Sequence, residues 1–448
     1  MRIAWLLIVC LASVGTIASA GEFPLRDGDV WVMAGDSITA QHLHSNYFEA
    51  FCFARYPKLK FAFRNSGVGG HTIPTTLARF DYDIAAWKPT VVSVELGMND
   101  KGRFTPEEYI ANMKTMVKRI REIQARPVML TASPVNSGDT MASLGGNQRL
   151  HQYAVTLKDF SAGEKIPFAD QFHLLIDVWG KNKPAESFVN SLPLLRKLAE
   201  DNSVAGVEGL RVFLTAQDAA PMAMVSLQGD PVHPGPPGQL TMAAALLKDL
   251  GAETFISSGM LNASGQVTES KGCRIDNVQV SGGTLQFDRL DESSPFPIAD
   301  QTAAVMPLYP VIADLSDYTL KVVDLKPGRH QLKSNGVDVG KPLTAKEWTA
   351  GVNLAALAYQ SNTNKIAGPM NAIAAQGHAI LAAVAAKESV VGQWRALSQR
   401  AHANGAPESL KTELAELTKK VEAEDEKIRT AAAPKTLHFE LTFVPDVQ

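Results

Sequence analysis

Residues 30–39 read Val30-Trp31-Val32-Met33-Ala34-Gly35-Asp36-Ser37-Ile38-Thr39. An apolar run of five, cut off by a glycine and a polar turn, predicts a short buried strand and its exit. Runs of the same kind recur at 61–64, 91–96, 128–132 and 166–169. Between them, helical periodicity covers 46–55, 75–87, 106–125 and 148–162. The Thr105-Pro106-Glu107-Glu108 sequence is a well-formed helix start. Strands alternating with helices predict an α/β domain built on a parallel sheet covered on both faces. Five such strands suit a flavodoxin-like, doubly wound fold, which gathers its site at the carboxyl ends of the strands.

Outward from this unit the pattern changes twice. Residues 185–226 interrupt the rhythm with helical runs and are expected to form an insertion or cap. One more helix, from Pro237 to Leu250, closes a domain assigned to 21–255. Residues 256–350 are rich in strand and turn signals, among them 318–323, Pro327-Gly328 and Asn335-Gly336, and predict a small β-sandwich. Residues 351–448 turn alanine-rich and helical. Leu410, Leu414, Leu417 and Val421 keep a 4-3-4 spacing, so this helix is expected to pack along one seam of a helical hairpin. A final alternating run, 437–443, reads as a strand returning to the β-domain.

Composition narrows the function classes. The 448 residues carry a net charge of -3, with 45% hydrophobic and 20% charged residues. No basic run offers a footprint for nucleic acid or for an anionic membrane. The first twenty residues combine Arg2, an apolar stretch over 4–14 and Ala18-Ser19-Ala20, the pattern of a cleaved export signal. Export to the periplasm or beyond is therefore expected, with no integral membrane segment after processing. Cys10 lies inside the apolar stretch, which argues against a lipid anchor on it. Cys52 and Cys273 are read as buried free thiols, a single inter-domain bridge being the alternative.

Four short segments carry chemistry. Ser37 follows the first strand directly, where a hydroxyl faces a cleft beside free backbone N–H groups; as a helix cap it would be mere structure. Asn65-Ser66-Gly67-Val68-Gly69-Gly70 follows the second strand, and its glycines allow a backbone N–H to approach a substrate or simply a tight turn. Gly97-Met98-Asn99-Asp100 ends the most apolar strand, where an asparagine amide could donate to an oxyanion. Gly229-Asp230-Pro231-Val232-His233-Pro234 places a carboxylate three residues before an imidazole on a stiff loop, so that Asp230 could fix the tautomer of His233.

Taken in order, these blocks resemble the SGNH (GDSL-type) hydrolases: a GDS serine at 35–37, an N-x-x-x-x-G at Asn65 and Gly70, a G-x-N-D at 97–100, and a D-x-x-H at Asp230 and His233. The resemblance covers roughly residues 28–250. It implies that Ser37 is the nucleophile, His233 the general base and Asp230 its orienting partner. The oxyanion hole it implies consists of the N–H groups of Ser37 and Gly70 and the side chain of Asn99, with Gly67 a weaker donor candidate. Arg79-Phe80-Asp81 and the helical appendage resemble an exported bacterial subgroup with a C-terminal extension.

The expectation is an exported, cofactor-free serine esterase acting on acyl esters, acetyl esters included, of a small molecule or glycan. A lipase or an acyltransferase would use the same triad, and a glycan-binding protein would carry a degenerate site. No metal is expected: His42, His44 and His71 lack further ligands at workable spacing and are read as substrate-side or solvent-facing. Trp179 and Trp394 are read as core or cover.

Overall fold

Alternate side chains of a strand leave on opposite faces, so a strand roofed by helices on both sides must be apolar throughout. The first apolar run meets that condition. In a computed structural model describing residues 22–136, 144–182, 186–219, 229–360 and 369–445, Trp31 and Met33 enter one apolar core and Val32 and Ala34 the other. The five strands are β1 (Asp29–Gly35), β2 (Phe61–Gly67), β3 (Val91–Glu95), β4 (Arg126–Leu130) and β5 (Phe168–Ala169). They form one parallel sheet in the order β2-β1-β3-β4-β5. The order reverses beside β1, and that reversal opens a crevice at the strands' carboxyl ends.

Helices His44–Arg55 and Pro236–Asp249 roof the first core, and Pro106–Glu122 and Leu144–Glu164 the second. Pro106–Glu122 begins with a capping box: Thr105 Oγ1 accepts from Glu108 N at 3.3 Å, and the Glu108 carboxylate accepts from Thr105 N at 2.8 Å. The helix expected over 75–87 is instead three pieces: Ile73–Ala78, Phe80–Asp83 and a 3-10 turn at Ala85–Trp87. The break falls at Arg79, which leaves helical geometry at φ -104° and ψ 5° while its buried guanidinium bonds Ser66 and Asp83. The export signal expected at 1–20, with Cys10, and parts of the expected insertion lie outside the described residues.

The second half holds two sheets facing across a shared core. Phe255–Asn262, Val267–Lys271, Asp317–Val323 and Val352–Asn353 make one, and the other is centred on Thr436–Val444. That last strand lies between Thr284–Asp291 and Arg329–Ser334, antiparallel to both. Leu261, Leu320 and Val322 meet Leu285, Leu332 and Phe439 between the sheets. Cys52 is buried and Cys273 half-buried, and both are free. Cys273 is less buried than expected because it starts the edge strand Cys273–Ser281, most of which faces solvent.

Helices Ala372–Ala401 and Glu408–Ala432 form the hairpin, which packs on the α/β domain. Ile380, Val384 and Ile428 join the first core, and Val391, Trp394 and Val421 the second. The hairpin thus wraps the β2 edge and contributes to both faces. Leu414 and Leu417 pack beside Val421 along the expected seam. Trp394 stacks on Trp87 with ring centroids 3.4 Å apart, and Trp179 is likewise core. Buried ionic contacts help to pin the hairpin. Arg64 pairs with Asp425 at 2.7 Å, and Lys387 lies 2.5 Å from Glu49 and 3.0 Å from Glu388. Among the described residues no helix is long and apolar enough to cross a membrane.

Candidate active site

The exit of β1 is shaped by contacts that tolerate no side chain at Gly35, where a Cβ would sit 2.0 Å from Thr39 Oγ1. The chain then turns at once into the short helix Ser37–Ala40. Its cap is Asp36, whose Oδ1 accepts from Ile38 N at 3.0 Å, so Ser37 is the first helical residue and leaves its hydroxyl unused for capping. At the exit of β2, Gly67 is required for a different reason: a Cβ there would lie 2.4 Å from Ala40 N. Its own N–H donates to Asn65 Oδ1 at 2.8 Å, which takes it out of contention as an oxyanion donor. Gly70 has φ +74° and open space around it. The N–H groups of Ser37 and Gly70 have no acceptor among the described residues.

The loop 229–234 is wound tightly on itself. Asp230 Oδ1 accepts from the N–H groups of Val232 and His233 at 2.7 and 2.8 Å, and Oδ2 meets His233 Nδ1 at 2.7 Å. The same loop is tied to the sheet by Asn136 N donating to Pro231 O at 2.8 Å and to the following helix by Gln239 Nε2 donating to Pro234 O at 3.0 Å. The other ring nitrogen, Nε2, lies 2.8 Å from Ser37 Oγ. The backbone N–H of His233, and then its ring, hold the Asp230 carboxyl down to about 2. An ionised Asp230 accepts the Nδ1 proton, leaving Nε2 as the acceptor that faces the serine hydroxyl.

Asn99 lies beside this group with its amide committed inside the protein. Nδ2 donates to His71 O at 3.1 Å and to Asp36 Oδ2 at 3.3 Å. An oxyanion would have to share or displace one of these contacts. Asp100, the next residue, is fully buried; Oδ1 accepts from Ile73 N at 3.0 Å, and burial pushes its carboxyl up to about 6.

The three histidines near the serine have separate fates. His44, expected near substrate or solvent, is fully buried instead. Gln239 gives both its amide protons to Gln41 and Pro234, so its Oε1 is the acceptor 3.2 Å from His44 Nδ1. His44 Nε2 lies 3.1 Å from Glu95 Oε2. Both ring nitrogens therefore donate. Burial alone would strip the proton, but the Glu95 carboxylate outweighs it and raises the imidazole above its ordinary value. His42 turns toward the hairpin, its Nδ1 3.3 Å from Glu388. His71 is half-buried, and its Nδ1 accepts from Arg79 Nε at 3.2 Å.

The sequence reading missed the acidic layer beneath the nucleophile. Thr39 Oγ1 donates to Glu95 Oε2 at 2.7 Å, and burial, then Glu95, pushes Asp36 up to about 7. Polar residues inside an apolar strand were the signal: Glu95 breaks the run at 91–96. A second Asp-x-x-His also exists, Asp170 and His173 at 2.7 Å, with His151 2.8 Å from His173. It follows β5 at the sheet's edge, and its free ring nitrogen meets a histidine, not a serine. Among the described residues no group of three metal-binding side chains is gathered.

Residues 33–188 match the GDSL-like lipase/acylhydrolase family. An acetylxylan esterase of Geobacillus stearothermophilus is 23% identical over 205 residues, which is 45% of this chain and 77% of the esterase. An uncharacterized lipoprotein of Bacillus subtilis (strain 168) is 23% identical over 149 residues, 28% of this chain and 61% of its own length. Among solved structures, a gut microbial diltiazem-metabolizing enzyme shares the fold over 95% of this chain and 99% of its own, with TM-score 0.69 at 19% identity. That likeness extends through the sandwich and hairpin. Family match and strand order agree: over residues 33–188 the α/β domain matches the GDSL-like lipase/acylhydrolases and has the SGNH-type fold, and the protein is a hydrolase of ester bonds.

Proposed function

We propose that the protein hydrolyses acyl esters through an acyl-serine intermediate, with Ser37 as nucleophile, His233 as general base and Asp230 as the group that orients it. The observation that carries this reading is the unbroken series Asp230 Oδ2, His233 Nδ1, His233 Nε2, Ser37 Oγ, with contacts of 2.7 and 2.8 Å. Ser37 Oγ attacks the ester carbonyl carbon as its proton passes to His233 Nε2. The tetrahedral intermediate collapses, and the imidazolium returns that proton to the departing alcohol. Water then attacks the acyl-serine by the same proton path and releases the acid.

The negative oxygen formed at each stage is stabilised by the N–H groups of Ser37 and Gly70 and by the Asn99 amide, released from one of its resting contacts. Acetyl esters of a glycan are the substrate class we favour, supported by the similarity to an acetylxylan esterase. Export is inferred from the pattern of residues 1–20. The test is hydrolysis of p-nitrophenyl esters of rising chain length and of acetylated xylo-oligosaccharides. Ser37→Ala should abolish turnover, and Asn99→Ala should lower kcat by about 100- to 1,000-fold with little change in KM. Equal rates in wild type and both variants would remove the serine-esterase reading. Binding without turnover in the wild type would favour a glycan-binding protein.

A further inference from the structure

The loop that carries Gly70 is gripped from behind by the C-terminal hairpin. Arg395 donates Nη1 to Gly67 O at 3.0 Å, and Nε and Nη2 to the two oxygens of Asp83 at 2.6 and 2.8 Å. Asp83 also accepts from Ser66 Oγ at 2.9 Å and from Arg79 Nη1. Arg79 reaches onward, donating Nη1 to Ser66 Oγ at 2.7 Å and Nε to His71 Nδ1 at 3.2 Å. His71 O in turn accepts the Asn99 amide. Gly67, His71 and Asn99 are thus the outer ends of one bonded cluster centred on Asp83.

The cluster is built for a guanidinium. Burial would push Asp83 up, yet the bonds and charge of Arg395, followed by Arg79, hold it below its ordinary value. One planar fork spans both Asp83 oxygens and still reaches Gly67 O, which an ammonium cannot do. Nor has Gly67 much room to drift toward the helix that begins with Ser37, where even a Cβ on it would lie 2.4 Å from Ala40 N. Ser398 Oγ donates to Tyr82 O at 2.6 Å and fixes the hairpin one turn further along.

We propose that Arg395 is a positioning residue for ester hydrolysis: through Gly67 O and Asp83 it sets the loop 67–71, and with it Gly70 N–H, relative to Ser37. The inference rests on the reading of Ser37 and Gly70 given above. It makes the C-terminal hairpin a working part of the active site. A displaced oxyanion donor weakens the transition state more than the bound ester, so the effect belongs on kcat.

The experiment compares full-length Arg395→Gln, Arg395→Lys, Asp425→Asn and Ser37→Ala in p-nitrophenyl acetate hydrolysis, with Tm measured for each. Arg395→Gln should lower kcat by about 10- to 100-fold with KM within about two-fold. Added guanidinium should restore part of that loss, and Arg395→Lys should fall between Gln and wild type. Asp425→Asn weakens another buried hairpin contact that does not touch the loop, so it should lower Tm and leave kcat unchanged. An unchanged kcat in Arg395→Gln, or a fall matched by Asp425→Asn and blind to guanidinium, overturns the proposal. If Arg395→Gln does not fold, an unchanged kcat in Arg395→Lys overturns it equally. Activity persisting in Ser37→Ala would instead sink the nucleophile reading, and the two failures are distinguishable.

Discussion

Replacing Asp230 by asparagine tests the tautomer argument with almost no change of shape. Asp230 Oδ1 accepts two backbone N–H groups, from Val232 and His233. An asparagine must place its only oxygen there, because an NH2 group would oppose two donors. Its amide nitrogen then occupies the Oδ2 position, 2.7 Å from His233 Nδ1, and donates to it. Nδ1 becomes the acceptor and the ring proton moves to Nε2, which faces Ser37 Oγ as a donor and no longer removes its proton. Enzymes with such a triad lose about 10,000-fold in kcat by this change. The Asp230 side chain is about half exposed, so water can compete for Nδ1 and we expect a loss of about 1,000-fold, toward the low side of that figure. Tm should be nearly unchanged, since both backbone bonds survive. Because wild-type Asp230 is held near 2, its orienting role should persist across the neutral range and fail only as the pH falls toward that value. Steady-state p-nitrophenyl acetate hydrolysis from pH 5 to 9, with melting curves, measures the rate loss, the stability and the persistence of the orienting role over that range. A variant within ten-fold of wild type and equally stable would refute the orienting role.

Two further perturbations probe the frame around the site. Asp36 is pushed from 3.8 to about 7, so the folded protein keeps a proton that the unfolded chain releases. Stability from this group is complete below about pH 4 and declines as the pH rises to 7, by up to about 4 kcal/mol. Asp36→Asn keeps the cap oxygen and removes the ionisation. Its denaturant-derived stability relative to wild type should therefore improve between pH 4 and 8, and parallel curves would mean that Asp36 ionises normally. Lys387 is fully buried against Glu49 and Glu388 and donates to Phe63 O at 3.0 Å. Lys387→Met should cost about 3–5 kcal/mol at pH 7 by taking from the buried Glu388 carboxylate the charge that, against its burial, holds it down to about 2; a loss under 1 kcal/mol in urea unfolding would count against a charged pair.

What the sequence made legible was local. Each strand of the sheet is fixed by two roofed faces, so a run such as Val30-Trp31-Val32-Met33-Ala34 announces itself without knowledge of its partners. The helix start at Thr105-Pro106 is equally self-contained, since donor and acceptor lie three residues apart. The same holds for loop 229–234, where Asp230 and His233 are near neighbours in the chain. Bringing that loop to Ser37 was a matter of fold order, and the doubly wound topology supplied it.

What remained hidden were charges whose partners lie far away in sequence. His44 looks like a surface residue until Glu95 and Gln239 are placed on either side of it. The period over 75–87 looks like one helix, because nothing nearby shows that Arg79 will be drawn to Ser66 and Asp83. Arg395 looks like a solvated position on an alanine-rich helix until the fold sets it against Gly67 and Asp83. A charged residue on a helical face is by default exposed, and burial reverses that reading only when the opposing charge is in place. These long-range pairs join the hairpin to the loop beside the nucleophile, so the part of the site least visible in the sequence is the part that makes two distant segments act as one.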